Sequence, residues 1–308
     1  MDIKKVIRLL GPLIIDGVIS VRNNSHERIV EMLHDLQFIT RNIAVTSSQT
    51  IIELQLLDAE PFYRLLAGEA NKFLLASMIT RERSTQDQLK NASWQTIENY
   101  YAAYYGVHYL LRLTGVSVTN IDMRAIHAIQ TSIYGAFPVP SSVPGGLYIL
   151  KFDDTTQILT LIKNNKKSGG SHQEAWQLWV ELVEKLSLQT QIDPVEYAPI
   201  SVSLAEHKQF LIKSTAKYNP PEIRGEINYQ FRGGAWVFEK DSSKSVGVLQ
   251  RSIAGEVSLN TPGKATPHSL IANNKMIINL AKSVFTHSAE KYPKGICRAL
   301  FNKYKIYI

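Results

Sequence analysis

Cysteine is almost absent from the sequence, which has only Cys297 among its 308 residues. A single thiol cannot form a disulfide within the chain, so no covalent cross-link contributes to the fold. This composition is typical of proteins that fold in a reducing compartment. We therefore expect a cytoplasmic protein whose stability comes from its hydrophobic core.

Long apolar runs are also missing. The most apolar stretch near the N-terminus, residues 6–15, is interrupted by Arg8 and Pro12. It is shorter than the roughly 20 residues that a membrane-spanning helix needs. It also lacks the small-residue cleavage site of a secretory signal. The sequence predicts a soluble protein with no membrane partner.

The common enzyme signatures are missing as well. There is no glycine-rich phosphate loop ending in Lys and Ser or Thr, no His-Glu-x-x-His, and no cysteine pair spaced for zinc. Cys297 has no histidine nearby in the sequence to activate it, and Asp153 and Asp154 fit a turn better than a metal site. His108 is predicted to be a core group, and the other histidines, His172 among them, form no cluster that spacing reveals. We predict no metal and no cofactor.

Positive charge, by contrast, is concentrated in the last third of the chain. Residues 208–308 hold 16 Lys and Arg against 6 Asp and Glu, a net of +10, whereas residues 1–207 have a net of −3. Such an asymmetry is typical of proteins that bind a polyanion, most often a nucleic acid. The alternative is a basic surface that is only solvated.

The strongest periodic pattern lies in residues 94–114. Its aromatic and apolar side chains recur at steps of three and four, and a second apolar row leaves little of the helix to face water. The first row consists of Trp94, Ile97, Tyr101, Tyr104, His108 and Leu111. Ala102 and Gly106 are small enough to let another helix approach closely. The pattern predicts a buried central helix that has Ser93 as its N-cap and ends just before Gly115.

Further patterns complete the prediction of secondary structure. Helices are expected to begin near Ser25, Pro61, Ser171, Ser203, Asn219 and Thr266, which are residue types that favour a helix start. Segments 148–152 and 157–162 predict a β-hairpin, and segment 47–57 fits either a strand or a helix. Residues 137–146, with three prolines and a glycine pair, predict irregular structure.

These elements predict a mainly α fold, in which a helical bundle carries a β-hairpin insertion and is followed by a basic C-terminal region. We divide the chain into an N-terminal helical region (1–58), a bundle (59–235) with an insertion at 135–170, and the basic C-terminal region (236–308).

The core of the central helix, Tyr-Tyr-Ala-Ala-Tyr-Tyr-Gly-Val-His-Tyr-Leu-Leu at residues 100–111, resembles the second helix of HEPN domains. These helical bundles occur in bacterial toxin, abortive-infection and CRISPR-associated proteins, and the resemblance covers roughly residues 60–235. Active members of the family cut RNA without a metal and carry an Arg-Asn-x-x-x-His signature. Its arginine binds the phosphate, its histidine handles protons, and dimerisation brings two signatures together.

The matching stretch of this sequence is Arg224-Gly-Glu-Ile-Asn-Tyr229, in which Gly225 replaces the usual polar residue and Tyr229 replaces the histidine. The resemblance makes Arg224, Asn228 and Tyr229 the candidate catalytic residues, with Arg224 holding a phosphate. Tyrosine ordinarily has a pKa of about 10 and is a poor general base at neutral pH, whereas histidine titrates near 6.5. The alternative is that Arg224 and Tyr229 form structural bonds that close the bundle.

A second candidate site lies in the C-terminal tail, where cations alternate with aromatic residues. The candidate nucleic-acid-binding residues are Lys291, Lys294, Arg298, Lys303, Tyr304 and Lys305. Cations of this kind neutralise phosphates, and rings stack on unpaired bases. A C-terminal helix that buries its rings and extends its lysines into solvent would produce the same pattern.

Together these features predict a HEPN-like component of a prokaryotic defence or toxin-type system. It is expected to bind RNA, DNA or a nucleoprotein partner and to have weak or no ribonuclease activity of its own. Two alternatives stay open: a metal-independent endoribonuclease with a degenerate Arg-x4-Tyr site, and a purely structural adaptor subunit. We also expect a protein partner or a homodimer.

Overall fold

The computed structural model describes residues 2–34, 37–86, 91–133, 140, 142–166, 170–240, 242–255 and 264–307. Helices predominate in these ranges, which confirms the prediction of a mainly α fold with a β insertion. In chain order the helices are α1 (Ile3–Leu10), α2 (Asp16–Ser20), α3 (Ile29–Met32), α4 (Glu60–Gln86), α5 (Ala92–Leu113), α6 (Met123–Thr131), α7 (Gly170–Gln189), α8 (Pro194–Leu211), α9 (Asn219–Gln230), α10 (Ser242–Ala254), α11 (Pro267–Lys291) and α12 (Ile296–Tyr304).

Helix α5 is the predicted central helix, and 18 of its 22 residues are buried. Its small residues allow close packing, as predicted. The Ser77 hydroxyl of α4 donates to the Ala102 carbonyl at 2.7 Å. A Cβ at Gly106 would lie only 3.3 Å from the Ile277 side chain of α11. The three longest helices therefore pack against one another with their backbones close together.

The two ends of α5 differ in how well the sequence predicts them. The helix begins at Ala92 with Asn91 as its cap, whose side chain accepts from the Trp94 backbone N–H, so the prediction of Ser93 as the cap is wrong. Asparagine is among the residues most favoured at this position. At the other end Gly115 has φ +73°, a left-handed conformation that suits glycine and follows the last turn, as predicted.

Five strands form one antiparallel sheet and two short strands form another. The strands are β1 (Phe38–Val45), β2 (Gln49–Leu56), β3 (Val116–Ile121), β4 (Gly146–Asp153), β5 (Ile158–Asn164), β6 (Ile212–Ser214) and β7 (Lys217–Tyr218). The order in the larger sheet is β1-β2-β5-β4-β3. The predicted hairpin is confirmed as β4 and β5, and the ambiguous segment 47–57 contains strand β2. Of the segment 137–146 that was predicted to be irregular, residues 140 and 142–145 have no regular secondary structure, as predicted, 146 begins β4, and residues 137–139 and 141 lie outside the described residues.

The N-terminal region 1–58 is only partly helical, in contrast to its prediction. The helix expected from Ser25 covers only Ile29–Met32, and the chain then enters β1 and β2. β-Branched residues are frequent in β1, and burial alternates along β2, both of which favour strands over helix. Because β2 pairs with β5, residues of this region share one sheet with the 135–170 insertion. The three-part division of the chain stays a prediction.

The start predicted for the helix near Ser203 is wrong, because α8 begins nine residues earlier. Asp193 caps it by accepting from the Glu196 N–H at 2.9 Å, and Pro194 takes the first helical position, where its missing N–H costs nothing. Ser203 lies inside the helix, and its hydroxyl donates to the Pro199 carbonyl at 3.0 Å.

The C-terminal region is helical. Helix α11 has the predicted cap, Thr266. Helix α10 begins before it, at Ser242. Helix α12 packs on α11, with the rings of Phe285 and Phe301 6.5 Å apart. Within the described ranges, no helix is both long and apolar enough to cross a membrane.

A buried ion pair joins α4 to α5. The Arg112 side chain is 4% exposed and its Nε donates to a Glu69 carboxylate oxygen at 2.8 Å. Its Nη1 donates to Nδ1 of His108 at 3.1 Å, and its guanidinium lies 4.3 Å from the centre of the Phe73 ring. The other Glu69 oxygen accepts the Ile29 backbone N–H. Among the described residues, each charge is therefore compensated by the other, by hydrogen bonds and, for Arg112, by the Phe73 ring.

We expect Glu69→Gln to lower the free energy of unfolding by about 3–5 kcal/mol, because it leaves the Arg112 charge buried without a counter-ion. Urea unfolding followed by circular dichroism would measure the change. The matched control is Glu184→Gln, since the Lys208–Glu184 pair is exposed, with N and O 2.8 Å apart. That control should cost no more than about 1 kcal/mol. Equal effects in the two variants would contradict a buried pair.

Candidate functional site

Tyrosines of α5 meet α7 and α9 in one cluster, which we call the tyrosine cluster: Tyr100, Tyr101, Tyr104, His172, Trp176, Arg224 and Tyr229. Tyr100 and Tyr104 share a face of α5 because they are four residues apart. The His172 ring stacks on Tyr104 with centroids 4.3 Å apart and on Tyr100 at 5.8 Å. The resemblance to HEPN domains pointed to the α5 and α9 members of this cluster, but not to His172.

A chain of hydrogen bonds connects His172 to α5. The Trp176 indole N–H donates to the Tyr100 oxygen at 3.1 Å, and that oxygen lies 2.7 Å from Nδ1 of His172. The Tyr100 hydroxyl therefore joins the two side chains of α7, and the ring of His172 is held at its Nδ1 atom.

Burial and, to a smaller extent, the positive charge of Arg224 lower the pKa of His172 to about 4. Burial also raises the pKa of Tyr100 above its usual value. Both groups are therefore neutral at pH 7, and neither is a ready proton acceptor there. The cluster provides donors and ring faces rather than a base.

Arg224 is the one permanent charge of the tyrosine cluster. Its guanidinium carbon lies 5.6 Å from the Tyr100 ring centre, 5.9 Å from that of Tyr101 and 5.8 Å from that of Tyr229. Its Nη1 donates to the Tyr229 hydroxyl at 3.3 Å. No carboxylate pairs with it in the described part of the chain, where its buried Nε also has no hydrogen-bond partner. Its charge is balanced there only by rings and a hydroxyl.

The structure brings together only some of the three candidate catalytic residues. Arg224 and Tyr229 are in contact, and Tyr229 is 70% exposed, so solvent and ligands reach it. Asn228 is half-buried one turn beyond Arg224 and contributes none of the hydrogen bonds of the cluster that involve described residues. The catalytic assignment of these residues stays a prediction.

His108, the other histidine of α5, belongs to the interior. It is buried, stacks on Phe73 with centroids 4.7 Å apart, and accepts from Arg112. Burial and the neighbouring Arg112 charge hold its pKa well below its usual range. The prediction that His108 is a hydrogen-bonded core group is confirmed.

The candidate residues of the C-terminal tail lie on and beside α12, and several already have partners. The Lys291 ammonium pairs with Asp16 at 2.7 Å. The Arg298 guanidinium lies 5.8 Å from the Phe301 ring, and the Lys303 ammonium lies 5.2 Å from the ring of Tyr304. Lys294 and Lys305 are exposed to solvent. A role of these six residues in binding stays a prediction.

Two groups considered from the sequence have structural roles. Cys297 is buried, and burial raises the pKa of its thiol to about 12, so the nucleophilic thiolate does not form at neutral pH. The Asp153 carboxylate accepts the N–H groups of Thr155 and Thr156 in the turn between β4 and β5. Within the described ranges, no three His, Cys, Asp or Glu side chains come together as metal ligands would.

Comparisons of the chain with protein-family models, curated proteins and solved structures find no match. The resemblance to HEPN domains therefore has no support beyond the residues quoted for it. The proposal of a function therefore depends on the chemistry of the tyrosine cluster.

We expect His172 to titrate with a midpoint near pH 4, and Arg224→Gln to raise this midpoint by removing a nearby positive charge. Since histidine in the unfolded chain titrates near 6.5, the unfolded state binds the proton first. The contribution of His172 to stability is therefore present above about pH 6.5 and lost as the pH falls toward 4. NMR of the imidazole nitrogens would give the midpoint. Arg251→Gln, at an exposed arginine of α10, is the control and should not move it.

Proposed function

We propose that the protein binds single-stranded nucleic acid, with Arg224 holding a phosphate at the tyrosine cluster. The observation that carries the proposal is the environment of Arg224, a guanidinium ringed by tyrosines and without a carboxylate partner among the described residues. A planar guanidinium matches two phosphate oxygens. The neutral His172 ring lies in the same cluster, where it stacks on Tyr104.

The rings next to Arg224 favour a nucleic acid over a small anion. Tyr229 presents its ring to solvent, and Tyr101 is half-buried beside it. Unpaired bases stack on such rings without regard to sequence. A net charge of +10 over residues 208–308 would attract the strand over a longer range. A duplex keeps its bases stacked inside, so single strands should bind more tightly.

The geometry favours binding over cleavage at neutral pH. Tyr229 occupies the position of the catalytic histidine in the family that the sequence resembles, and His172 has Nδ1 hydrogen-bonded and a pKa of about 4. The ribonuclease alternative is supported by one observation, the presence of His172 in the same cluster as Arg224. A place in a prokaryotic defence or toxin-type system is part of the same proposal and depends on the resemblance alone.

We expect Arg224→Ala to weaken binding of a fluorescent 12-nucleotide RNA by about 10- to 100-fold, because a hydrogen bond to a charged group contributes about 1.5–3 kcal/mol. The slope of log affinity against log salt should fall by about one, as for the loss of one phosphate contact. Fluorescence anisotropy at several salt concentrations measures both quantities. Arg41→Ala, at an exposed arginine on β1, is the control. An unchanged affinity and slope in Arg224→Ala would exclude this site.

The same RNA should remain intact after prolonged incubation with the protein at pH 7, because the described side chains around Arg224 are tyrosines and a histidine whose pKa is about 4. A denaturing gel would show this directly. Cleavage that disappears in both Arg224→Ala and His172→Gln would instead establish the ribonuclease alternative. Cleavage that survives both substitutions would come from a contaminant or from another site.

A further inference from the structure

An exposed aromatic surface continues from the tyrosine cluster past the end of α9. We call it the aromatic shelf, and it consists of Trp94, Phe231, Trp236, Val237 and Phe238. Trp94 is 48% exposed, Phe231 52%, Val237 75% and Phe238 65%. Soluble proteins seldom expose so many large apolar side chains side by side, and such patches usually mark a binding surface.

The rings of the aromatic shelf contact one another. Phe238 stacks on Trp236 with centroids 5.4 Å apart, and Phe231 lies edge-on to Trp236 at 5.5 Å. Trp94, from the first turn of α5, reaches Trp236 edge-on at 6.2 Å. The patch is therefore continuous and joins the start of α5 to the loop after α9.

The backbone beneath the aromatic shelf is held firmly. The Glu239 carboxylate accepts the N–H groups of Gly234, Ala235 and Trp236 at 2.8, 2.9 and 2.8 Å. The Trp236 indole donates to the carbonyl of Ile227 at 2.7 Å. The loop and the Trp236 ring are thus held in place before any ligand arrives, which lowers the entropy cost of binding.

Charge identifies the kind of ligand that fits the aromatic shelf. Residues 229–245 contain three basic residues, Arg232, Lys240 and Lys244, all exposed, and two acidic residues, Glu239 and Asp241, the second of which lies outside the described residues. The acidic Glu239 is directed inward to the three N–H groups. A second copy packed here about a two-fold axis would bring the same basic residues toward each other, which disfavours a homodimer. Rings bordered by cations suit the bases and phosphates of a single strand.

We propose that the aromatic shelf stacks unpaired bases of the same strand whose phosphate Arg224 holds. This inference rests on the proposed function and adds a second part to its site. Tyr229 connects the two parts, because it contacts Arg224 and lies two residues before Phe231. Trp94 and Tyr101 are seven residues apart on α5, which corresponds to about 10 Å along the axis. That span accommodates about three nucleotides at a rise of about 3.4 Å each.

The test compares two 12-nucleotide RNAs, one intact and one in which three adjacent central positions lack their bases but keep their phosphates. Both are titrated with the full chain, with Phe238→Ala and with Arg224→Ala, by fluorescence anisotropy. Leu188→Ala, at a 71% exposed leucine of α7, controls for loss of an exposed apolar side chain. Circular dichroism checks that each variant folds. Size-exclusion light scattering records the oligomeric state.

We expect Phe238→Ala to weaken binding of the intact RNA about tenfold, the order expected for loss of one base stacked on a ring. The same variant should bind the baseless RNA like the unchanged chain, whereas Arg224→Ala should weaken both RNAs. If Phe238→Ala binds the intact RNA normally and Arg224→Ala does not, the inference about the aromatic shelf is wrong and the proposed function still holds. If the unchanged chain binds no RNA, the inference and the proposed function are both wrong. A dimer that Phe238→Ala splits into monomers would assign the shelf to protein contact instead.

Discussion

The burial of α5 is the constraint on which the rest of the structure depends. A helix with neighbours on nearly every side needs partners for most of its polar groups inside the protein, since an unmatched buried group is costly; in the described ranges the Tyr109 hydroxyl and the Gln95 amide oxygen are exceptions on α5. Asn99 accepts from Asn274 of α11 at 2.9 Å, and Gln95 donates to the Ser84 carbonyl of α4 at 3.0 Å. These bonds fix the register of three helices that packing alone would leave less well defined.

The burial of α5 also explains the hydrogen bonds of Tyr100 in the tyrosine cluster, but it does not explain the position of Arg224. Tyr100 is buried, so its hydroxyl needs partners, and Trp176 and His172 of α7 supply them. Arg224 differs from Arg112, whose buried guanidinium has the carboxylate of Glu69 as its counter-ion. The Arg224 guanidinium is partly enclosed by rings and has no such partner in the described ranges. This arrangement is the one expected of a site that binds an anion.

The sequence predicted those parts of the fold that local signals specify. Helices α4, α5, α9 and α11 have strong periodicity or clear starts, and the hairpin of β4 and β5 has a turn signal between its strands. The pairing of β2 with β5 could not be predicted, because more than 100 residues separate the two strands and no local pattern encodes the contact. The cap of α5 was missed because two acceptable residues, Asn91 and Ser93, lie close together.

The candidate site was predictable to a similar degree. The resemblance led to Arg224 and Tyr229, which are in contact, but no spacing in the sequence connects His172 to either of them. His172 joins the cluster only because α7 packs against α5. The aromatic shelf was equally hidden, since Trp94 and Trp236 are 142 residues apart and exposure cannot be read from residue type.

The two basic surfaces of the chain face different sides of α5, which limits how they could cooperate. Tyr100 contacts the cluster that holds Arg224, whereas Tyr109 contacts Phe285 of α11, the helix on which α12 packs. Nine residues separate Tyr100 from Tyr109, which places them about half a turn apart around the helix. A path from Arg224 to the lysines of α12 therefore leads around the bundle. If both surfaces bind the same molecule, that molecule must be longer than the few nucleotides proposed to bind at the tyrosine cluster and the aromatic shelf.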